Sequence, residues 1–254
     1  NFFVGIYLAR ILGPDEIGLL GMVAIFIAIS GIFTNAGFSE ALMRQERVNN
    51  QEYNTVFFYN ILVSSTFAVI LYFSGPVISA FYGEPRLTAI VRVLSVNQIL
   101  GSFILVQKIK LAKDFRFKEM TIINTIGVVF SSVLGILLAI SDWGIWSLIY
   151  KTLCMTLIML LGHFYHTKWM PKLQFKLHEG RRLFNFGGKL FALGLIDTIY
   201  NNIYYVIIGK IYNPAILGQY TRAMNMQSVP IKTITSVIQQ VSFPILADIQ
   251  NDKK

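Results

Sequence analysis

Long apolar stretches alternate with short polar connections along this chain of 254 residues. Each stretch has about 20 residues, the length at which a helix crosses a hydrocarbon core roughly 30 Å thick. Because lipid cannot satisfy backbone polar groups, such stretches must be helical. The pattern therefore predicts seven complete membrane spans, at Ile17–Ala36, Thr55–Phe73, Leu87–Gln107, Met120–Ile140, Trp143–Phe164, Leu190–Gly209 and Ile216–Leu246.

The start of the chain and its composition define the class of protein. Asn1–Ala9 has the character of the end of an earlier span, so we expect the chain to be a fragment of a longer protein. Hydrophobic residues make up 54% of the sequence and charged residues 14%, and the mean hydropathy is +0.57. Soluble domains carry about 25% charged residues. The predicted fold class is therefore an all-α, polytopic transmembrane helix bundle.

Two turns that each join a pair of apolar helices repeat at a spacing of 200 residues. The first turn motif is Ala9–Gly18 and the second is Gly209–Gly218. Four positions match in register: Arg10 and Lys210, Ile11 and Ile211, Pro14 and Pro214, and Gly18 and Gly218. Many secondary transporters are built from two related halves with the substrate path between them. The repeat therefore makes transport the leading hypothesis.

The net charge of +9 reports membrane topology rather than nucleic-acid binding. Successive connections between spans lie on opposite sides of the membrane. Those on one side hold only three basic residues, Arg10, Arg86 and Lys210, whereas three connections on the other side are strongly basic. This asymmetry predicts that the basic loops are cytoplasmic and the repeated turns lie outside. Attraction to anionic membrane lipids is a by-product. The basic loop residues are Arg44, Arg47, Lys108, Lys110, Lys113, Arg116, Lys118, Lys168, Lys172, Lys176, Arg181, Arg182 and Lys189.

Five charged residues fall inside the predicted spans, namely Arg92, Lys151, Arg222, Lys232 and the single acid Asp197. A charge at the centre of a membrane helix costs at least about 2.5–3.5 kcal/mol, so it normally faces a cavity or a partner. Two other interpretations stay open. Arg92, Lys151 and Arg222 are close enough to the outer ends to reach the headgroups, and Asp197 and Lys232 could form a structural ion pair.

Uncharged polar residues extend these positions into stripes with helical spacing. One stripe, in the third predicted span, comprises Thr88, Arg92, Ser95, Gln98 and Ser102. A second comprises Asp197, Asn201 and Tyr204, and a third comprises Arg222, Asn225, Lys232, Ser236 and Gln239. Such serines and amides can also serve only to join helices. We expect the stripes to line a central aqueous cavity rich in cations.

Enzyme chemistry is not indicated by the sequence. Gly187, Gly188 and Lys189 lack the remaining residues of a phosphate-binding loop. His163 and His166 have no acid or cysteine beside them with which to hold a metal. The single cysteine, Cys154, rules out an intrachain disulfide. The sequence therefore predicts neither catalysis nor a metal site nor a cofactor.

Four segments resemble the polysaccharide transporters of the MOP flippase superfamily. Ala9–Gly18 followed by Asn35–Leu42 is similar to the family's opening, Leu111–Lys118 to its basic cytoplasmic loop, and Phe243–Leu246 to the end of its eighth helix. The similarity runs through the whole chain and is greatest to Wzx-type exporters of O-antigen, colanic acid and related repeat units. Arg10 is matched to the family only through its place in the Ala9–Gly18 motif.

The resemblance implies two six-helix lobes around a cavity that alternates between inward-open and outward-open states. Residues 1–186 would be the first lobe, without its beginning, and residues 187–254 the first two helices of the second. The implied substrate is an oligosaccharide on undecaprenyl pyrophosphate, moved across the bacterial inner membrane. The polysaccharide polymerase machinery would be a partner.

The cationic cavity and the implied substrate suggest roles for individual residues. Lys and Arg in a wet cavity lower the barrier to a diphosphate in a region of low dielectric constant. Arg10, Arg92, Lys151, Arg222 and Lys232 are the predicted anion-binding residues. Asn201 and Asn225 are the predicted partners of sugar hydroxyls, and Asp197 is the predicted ion-coupling group.

Three other functions remain as alternatives. A multidrug exporter of the same superfamily needs acids in its cavity to bind organic cations, whereas this chain has four basic residues and one acid in its spans. A membrane glycan polymerase or ligase would carry a large outer loop with catalytic Arg or His, and the outer loops here are short. A purely structural helical fragment is the third.

Overall fold

A computed structural model describes residues 2–35, 42–43, 48–172, 177–228 and 231 of the chain. The regular structure of these residues is α-helical, which confirms the predicted fold class. The helices are α1 Phe2–Ile11, α2 Pro14–Asn35, α3 Asn50–Tyr82, α4 Arg86–Ser102, α5 Ile104–Lys113, α6 Phe117–Ile140, α7 Ile145–Thr167 and α8 Leu177–Ile211, followed by α9 over residues 214–228.

Within the described residues, five helical segments are long and apolar enough to cross a membrane, and they correspond to the first five predicted spans. They are Pro14–Ile32, Asn50–Tyr82, Arg86–Lys113, Phe117–Ile140 and Ile145–Thr167. The sixth predicted span, Leu190–Gly209, lies within α8. The seventh begins in α9 and continues outside the described residues. The chain is therefore a multi-pass membrane protein.

Helix α2 is the centre of the bundle and contacts α3, α4, α7 and α8. Its side chains carry no charge after the first turn, so it can be surrounded by other helices without leaving a charge unpaired. Leu19, Met22 and Val23 are buried in one apolar cluster with residues of α3, α4 and α7 and with Leu217 of α9. The helices that carry the two turn motifs thus share a single core.

The third predicted span, Leu87–Gln107, is divided between α4 and α5 at Phe103, whose backbone dihedrals stay in the right-handed helical region. Side chains of α3 bond to carbonyl groups just before this division: Asn60 Nδ2 donates to the Ser102 oxygen at 2.8 Å, and Ser64 Oγ donates to the Gln98 oxygen at 3.3 Å. Hydropathy alone carries no signal for the division, and α4 and α5 together still form one segment long enough to cross a membrane.

The two turn motifs pack against each other with the same contact made in both directions. A Cβ atom built on Gly18 would overlap the carbonyl oxygen of Pro214, and one built on Gly218 would overlap the carbonyl oxygen of Pro14. Helices α2 and α9 therefore cross at backbone contact near their first turns. Small residues permit such close approach between membrane helices. The sequence repeat is thus also a repeat in space.

The ends of the helices near the two turn motifs form what we call the turn face, which comprises residues 12–14, 83–86, 141–145 and 212–214. Glu16 joins three helices there: its Oε2 accepts a hydrogen bond from the Ile145 backbone N–H at 2.5 Å, and its Oε1 lies 3.8 Å from Arg86 Nη1. Gly144, with a φ of 52°, leaves room for the Glu16 carboxylate. A carboxylate at the start of α7 also suits the positive end of that helix.

At the opposite end of the bundle, which carries the basic connection between α5 and α6, aromatic side chains hold the helices together. Trp169 lies edge-on to Tyr53 and Phe57, with ring centroids 6.2 and 5.8 Å apart. The Lys110 ammonium is 4.3 Å from the centroid of the Tyr53 ring, which is a favourable cation–π distance. The segment that follows α7 is therefore fixed to α3 and α5.

The crossing of α2 and α9 predicts a specific sensitivity to one methyl group. We expect Gly18→Ala and Gly218→Ala each to destabilise the full-length protein by about 1–3 kcal/mol, because the added Cβ forces the two backbones apart. Thermal unfolding in detergent measures this effect.

Gly31→Ala in α2 is the matched control, since a Cβ there meets nothing within 4 Å. It should be neutral or slightly stabilising, because alanine lowers the entropy of the unfolded chain. Equal effects at Gly18 and Gly31 would contradict the close crossing.

Candidate functional site

A cavity of about 750 Å³ lies between α1, α2, α7, α8 and α9, next to the α2–α9 crossing. This volume is within the range of small-molecule binding sites. One part of its wall is apolar and includes Ile6, Leu20 and Leu148. The remainder carries hydroxyl, amide and basic groups. The cavity can therefore surround a ligand that has both apolar and polar parts.

Three basic residues line the cavity, and each comes from a different helix. Arg10 is in the last turn of α1, Lys151 is in the second turn of α7, and Arg222 is on α9. The described lining contains no Asp or Glu. Because the positive charges are not balanced within the wall, the cavity attracts anions.

Arg222 binds the end of a neighbouring helix as well as facing the cavity. Its Nη2 donates a 2.6 Å hydrogen bond to the carbonyl oxygen of Leu12, directly after the end of α1. Its Nε is buried and has no hydrogen-bond partner among the described residues. A guanidinium has five N–H donors, so Arg222 keeps hydrogen-bonding capacity beyond the Leu12 contact.

Lys151 reaches the cavity because α6 lacks a side chain beside it. A Cβ built on Gly135 would lie 3.1 Å from the Cβ and Cδ atoms of Lys151. The aliphatic part of Lys151 therefore packs on the α6 backbone. None of the ion pairs in the described part of the chain includes Lys151.

Of the eight residues proposed from the sequence, the structure brings four together in the cavity: Arg10, Lys151, Arg222 and Asn225. Lys232 lies outside the described residues. Arg92, Asn201 and Asp197 are not among the lining residues.

The position of Arg92 follows from how α4 packs. Its guanidinium carbon lies 5.1 Å from the centroid of the Tyr72 ring on α3. Ser95 and Ser102 of the same stripe are buried, and their hydroxyls donate to carbonyl groups of their own helix. The polar stripe of the third predicted span therefore serves helix packing in this structure.

The sixth predicted span, Leu190–Gly209, presents a different stripe from the expected one. Asp197, Asn201 and Tyr204 are exposed, whereas Asn202 and Tyr205 line the cavity. The difference is one residue, or about 100° around a helix. Thr198, Asn202 and Tyr205 also form a polar stripe with helical spacing, so the sequence contains the signal but does not rank the two stripes. Thr221 and Ser228 of α9 are further lining residues that the sequence analysis did not name.

These features define a polytopic α-helical membrane protein with a cation-lined cavity beside an internal repeat. The chain belongs to the family of polysaccharide biosynthesis proteins, whose sequence profile matches residues 7–254. This membership confirms the resemblance to polysaccharide transporters.

Three curated relatives share low identity with the chain over most of its length. The teichuronic acid biosynthesis protein TuaB of Bacillus subtilis (strain 168) is 27% identical over 222 residues, which cover 85% of this chain and 45% of TuaB. The succinoglycan biosynthesis transport protein ExoT of Rhizobium meliloti (strain 1021) is 23% identical, covering 97% of this chain and 50% of ExoT. The lipopolysaccharide biosynthesis protein WzxC of Escherichia coli (strain K12) is 23% identical, covering 96% and 50%.

The chain thus spans about half the length of the curated relatives it matches. No solved structure matches it.

The orientation of α8 predicts different chemical access at two adjacent positions. In a Cys154→Ser background, we expect Asn202→Cys to react with a charged, membrane-impermeant thiol reagent at least about ten times faster than Asn201→Cys. Position 202 lines the cavity, where we expect water, whereas position 201 is exposed on the outside of the helix bundle, where we expect lipid. Only an ionised thiol reacts readily, and lipid disfavours the ionised form. Rates of labelling of the full-length protein give the comparison.

Asn201→Cys is the matched control, since it differs by one position on the same helix. Faster labelling at 201 than at 202 would mean that α8 presents the Asp197–Asn201–Tyr204 stripe to water instead.

Proposed function

We propose that the full-length protein is a flippase that moves oligosaccharide repeat units linked to undecaprenyl pyrophosphate across the bacterial inner membrane. The single observation that carries this proposal is the cavity in which Arg10, Lys151 and Arg222 meet without an acid among the described lining residues. Membership of the polysaccharide biosynthesis family supports it, as does similarity to a protein named as a succinoglycan biosynthesis transport protein.

The chemistry of the cavity suits the two ends of such a substrate. A diphosphate loses much of its hydration in a membrane cavity, and charge-assisted hydrogen bonds from Arg and Lys replace that hydration. Asn202, Asn225 and Ser228 offer hydrogen bonds to sugar hydroxyls. The apolar wall formed by α1 and α2 suits the first units of the prenyl chain.

We further propose that transport occurs by alternating access between two lobes, the first comprising residues 1–186 and the second beginning at residue 187. The cavity has walls from both parts, since α1, α2 and α7 face α8 and α9 across it. A site between two related halves is typical of transporters built from repeats. The substrate leaves chemically unchanged, so the protein is not an enzyme.

The orientation in the membrane follows from the basic connections. Lys108, Lys110, Lys113, Arg116 and Lys118 lie on the face opposite the turn motifs, so the positive-inside rule assigns that face to the cytoplasm. The turn face then lies outside. The polysaccharide polymerase machinery, which receives the substrate there, is the proposed partner.

Export of organic cations is not favoured. A cation-binding cavity requires acidic groups, and the described lining has three bases and no acid. Asp197 stays the predicted ion-coupling group, although its exposed position on α8 separates it from the described cavity. Unchanged transport and unchanged pH dependence in Asp197→Asn would remove that role.

The proposal predicts which basic residues are needed for export. In cells that lack their own repeat-unit flippase, Arg10→Gln, Lys151→Gln and Arg222→Gln in the full-length gene should each lower export about tenfold or more. Loss of one charged hydrogen bond to the diphosphate accounts for an effect of that size. The measurement is the amount of lipid-linked oligosaccharide on each side of the membrane, normalised to protein in the membrane.

Arg92→Gln is the matched control, because Arg92 is an intramembrane arginine that packs on Tyr72 outside the cavity. It should retain most of the export. Full export by all three cavity variants would contradict the proposal, and so would an equal loss in Arg92→Gln.

A further inference from the structure

Lys210 of the second turn motif and Arg222 of the helix after it each bind the carbonyl end of another helix. Lys210, the second-last residue of α8, donates from Nζ to the carbonyl oxygen of Phe81, the second-last residue of α3, and its Nζ lies 4.5 Å from the Phe81 ring centroid. Arg222 of α9 donates to the carbonyl oxygen of Leu12 after α1. Both contacts lie at or beside the turn face. The first joins α8 to α3, and the second joins α9 to the end of α1.

Helix ends explain why cations serve this purpose. The last carbonyl groups of a helix have no partner within the helix and carry the negative end of its dipole. A Lys or Arg that binds them is therefore held by both hydrogen bonding and charge. Breaking either contact leaves a helix end unsatisfied, so the two contacts favour the closed arrangement of the turn face.

Arg222 differs from Lys210 in that it also lines the cavity. The Nη2 N–H that binds the Leu12 carbonyl cannot serve a ligand at the same time, although the other guanidinium donors can. A ligand that takes this donor must release the end of α1. The same side chain thus connects occupancy of the cavity with the closure of the turn face.

Accepting the proposed function, we propose that Arg222 couples substrate binding to opening of the turn face. The diphosphate of the substrate binds the Arg222 guanidinium in place of the Leu12 carbonyl, and loss of that contact releases α9 from α1. Lys210 also holds the turn face closed, but it does not bind the substrate. Once both cation contacts are broken, α2 and α9 separate at the Gly18–Gly218 crossing.

This coupling meets the thermodynamic condition for a ligand-driven change. A ligand shifts a conformational equilibrium only by binding the two states with different affinity. With the turn face closed, one Arg222 donor is committed to Leu12; with it open, that donor is available to the diphosphate. The diphosphate therefore binds the open state more tightly and increases its population.

Spin-label distances across the turn face test the coupling in the full-length protein. Labels on Ser141→Cys and Tyr212→Cys in a Cys154→Ser background report the separation of the α6 and α8 ends. The proteins are placed in lipid nanodiscs, and farnesyl diphosphate is the probe. In the otherwise unmodified protein, we expect the probe to increase the population with the longer distance.

Two variants separate the closing contact of Lys210 from the coupling role of Arg222. Lys210→Gln should raise the ratio of open to closed protein by roughly threefold without the probe and keep the response to it. Arg222→Gln should raise that ratio by about tenfold and lose the response. A probe response that persists in Arg222→Gln would overturn the coupling, as would a distance that the probe never changes.

Failure of the coupling is distinguishable from failure of the proposed function. Protection of Asn202→Cys from thiol labelling by farnesyl diphosphate reports binding independently of any motion. Protection without a distance change would refute the coupling and leave the flippase proposal in place. Absence of protection, together with full export by the three cavity variants, would refute both.

Discussion

The contact on which the structure depends is the crossing of α2 and α9, where the missing side chains of Gly18 and Gly218 let two backbones touch. Each glycine faces the carbonyl group of the proline that starts the other helix. Because this contact is made in both directions, it fixes α9 against the central helix of the bundle. It also brings Arg222 to the end of α1 and Lys210 to the end of α3. The cavity lies beside this crossing and is lined by residues of both helices.

The basic residues of this region show how a membrane protein keeps charges that are costly to bury. Arg86 is paired with Glu84 and Glu16 at the turn face, where water is near. Arg222 is compensated by a helix end rather than by an acid. Lys151 packs its aliphatic part at Gly135 and forms none of the ion pairs among the described residues. Apolar side chains at these two positions would avoid the cost of burying a charge. An anion in the cavity would supply the missing compensation, which supports the proposed transport of an anionic lipid.

Much of the fold follows from the sequence, because both the spans and the repeat are properties of residue order. Charge-free stretches defined α2 and α6, and the matched Pro and Gly positions identified the two turns that pack together. A charge inside a span needs a cavity or a partner, and this argument singled out Arg92, Lys151, Arg222, Lys232 and Asp197. The structure places Lys151 and Arg222 of this group in the cavity. The sequence did not distinguish Asn201 from Asn202, because both belong to polar stripes with helical spacing. Nor did it show that the stripe containing Arg92 packs on α3, since serines that bond to their own helix have the same spacing as serines that face water.

We expect the cavity beside the crossing to bind an anionic prenyl lipid in preference to an uncharged one, as the proposed function requires. Calorimetric titration of the full-length protein in nanodiscs with farnesyl diphosphate and with farnesol measures this preference, because the two ligands differ only in the charged group. The diphosphate should bind at least about tenfold more tightly, and rising salt concentration should weaken its binding. Equal affinity for farnesol, or diphosphate binding that is insensitive to salt, would mean that the cavity does not recognise the charged group.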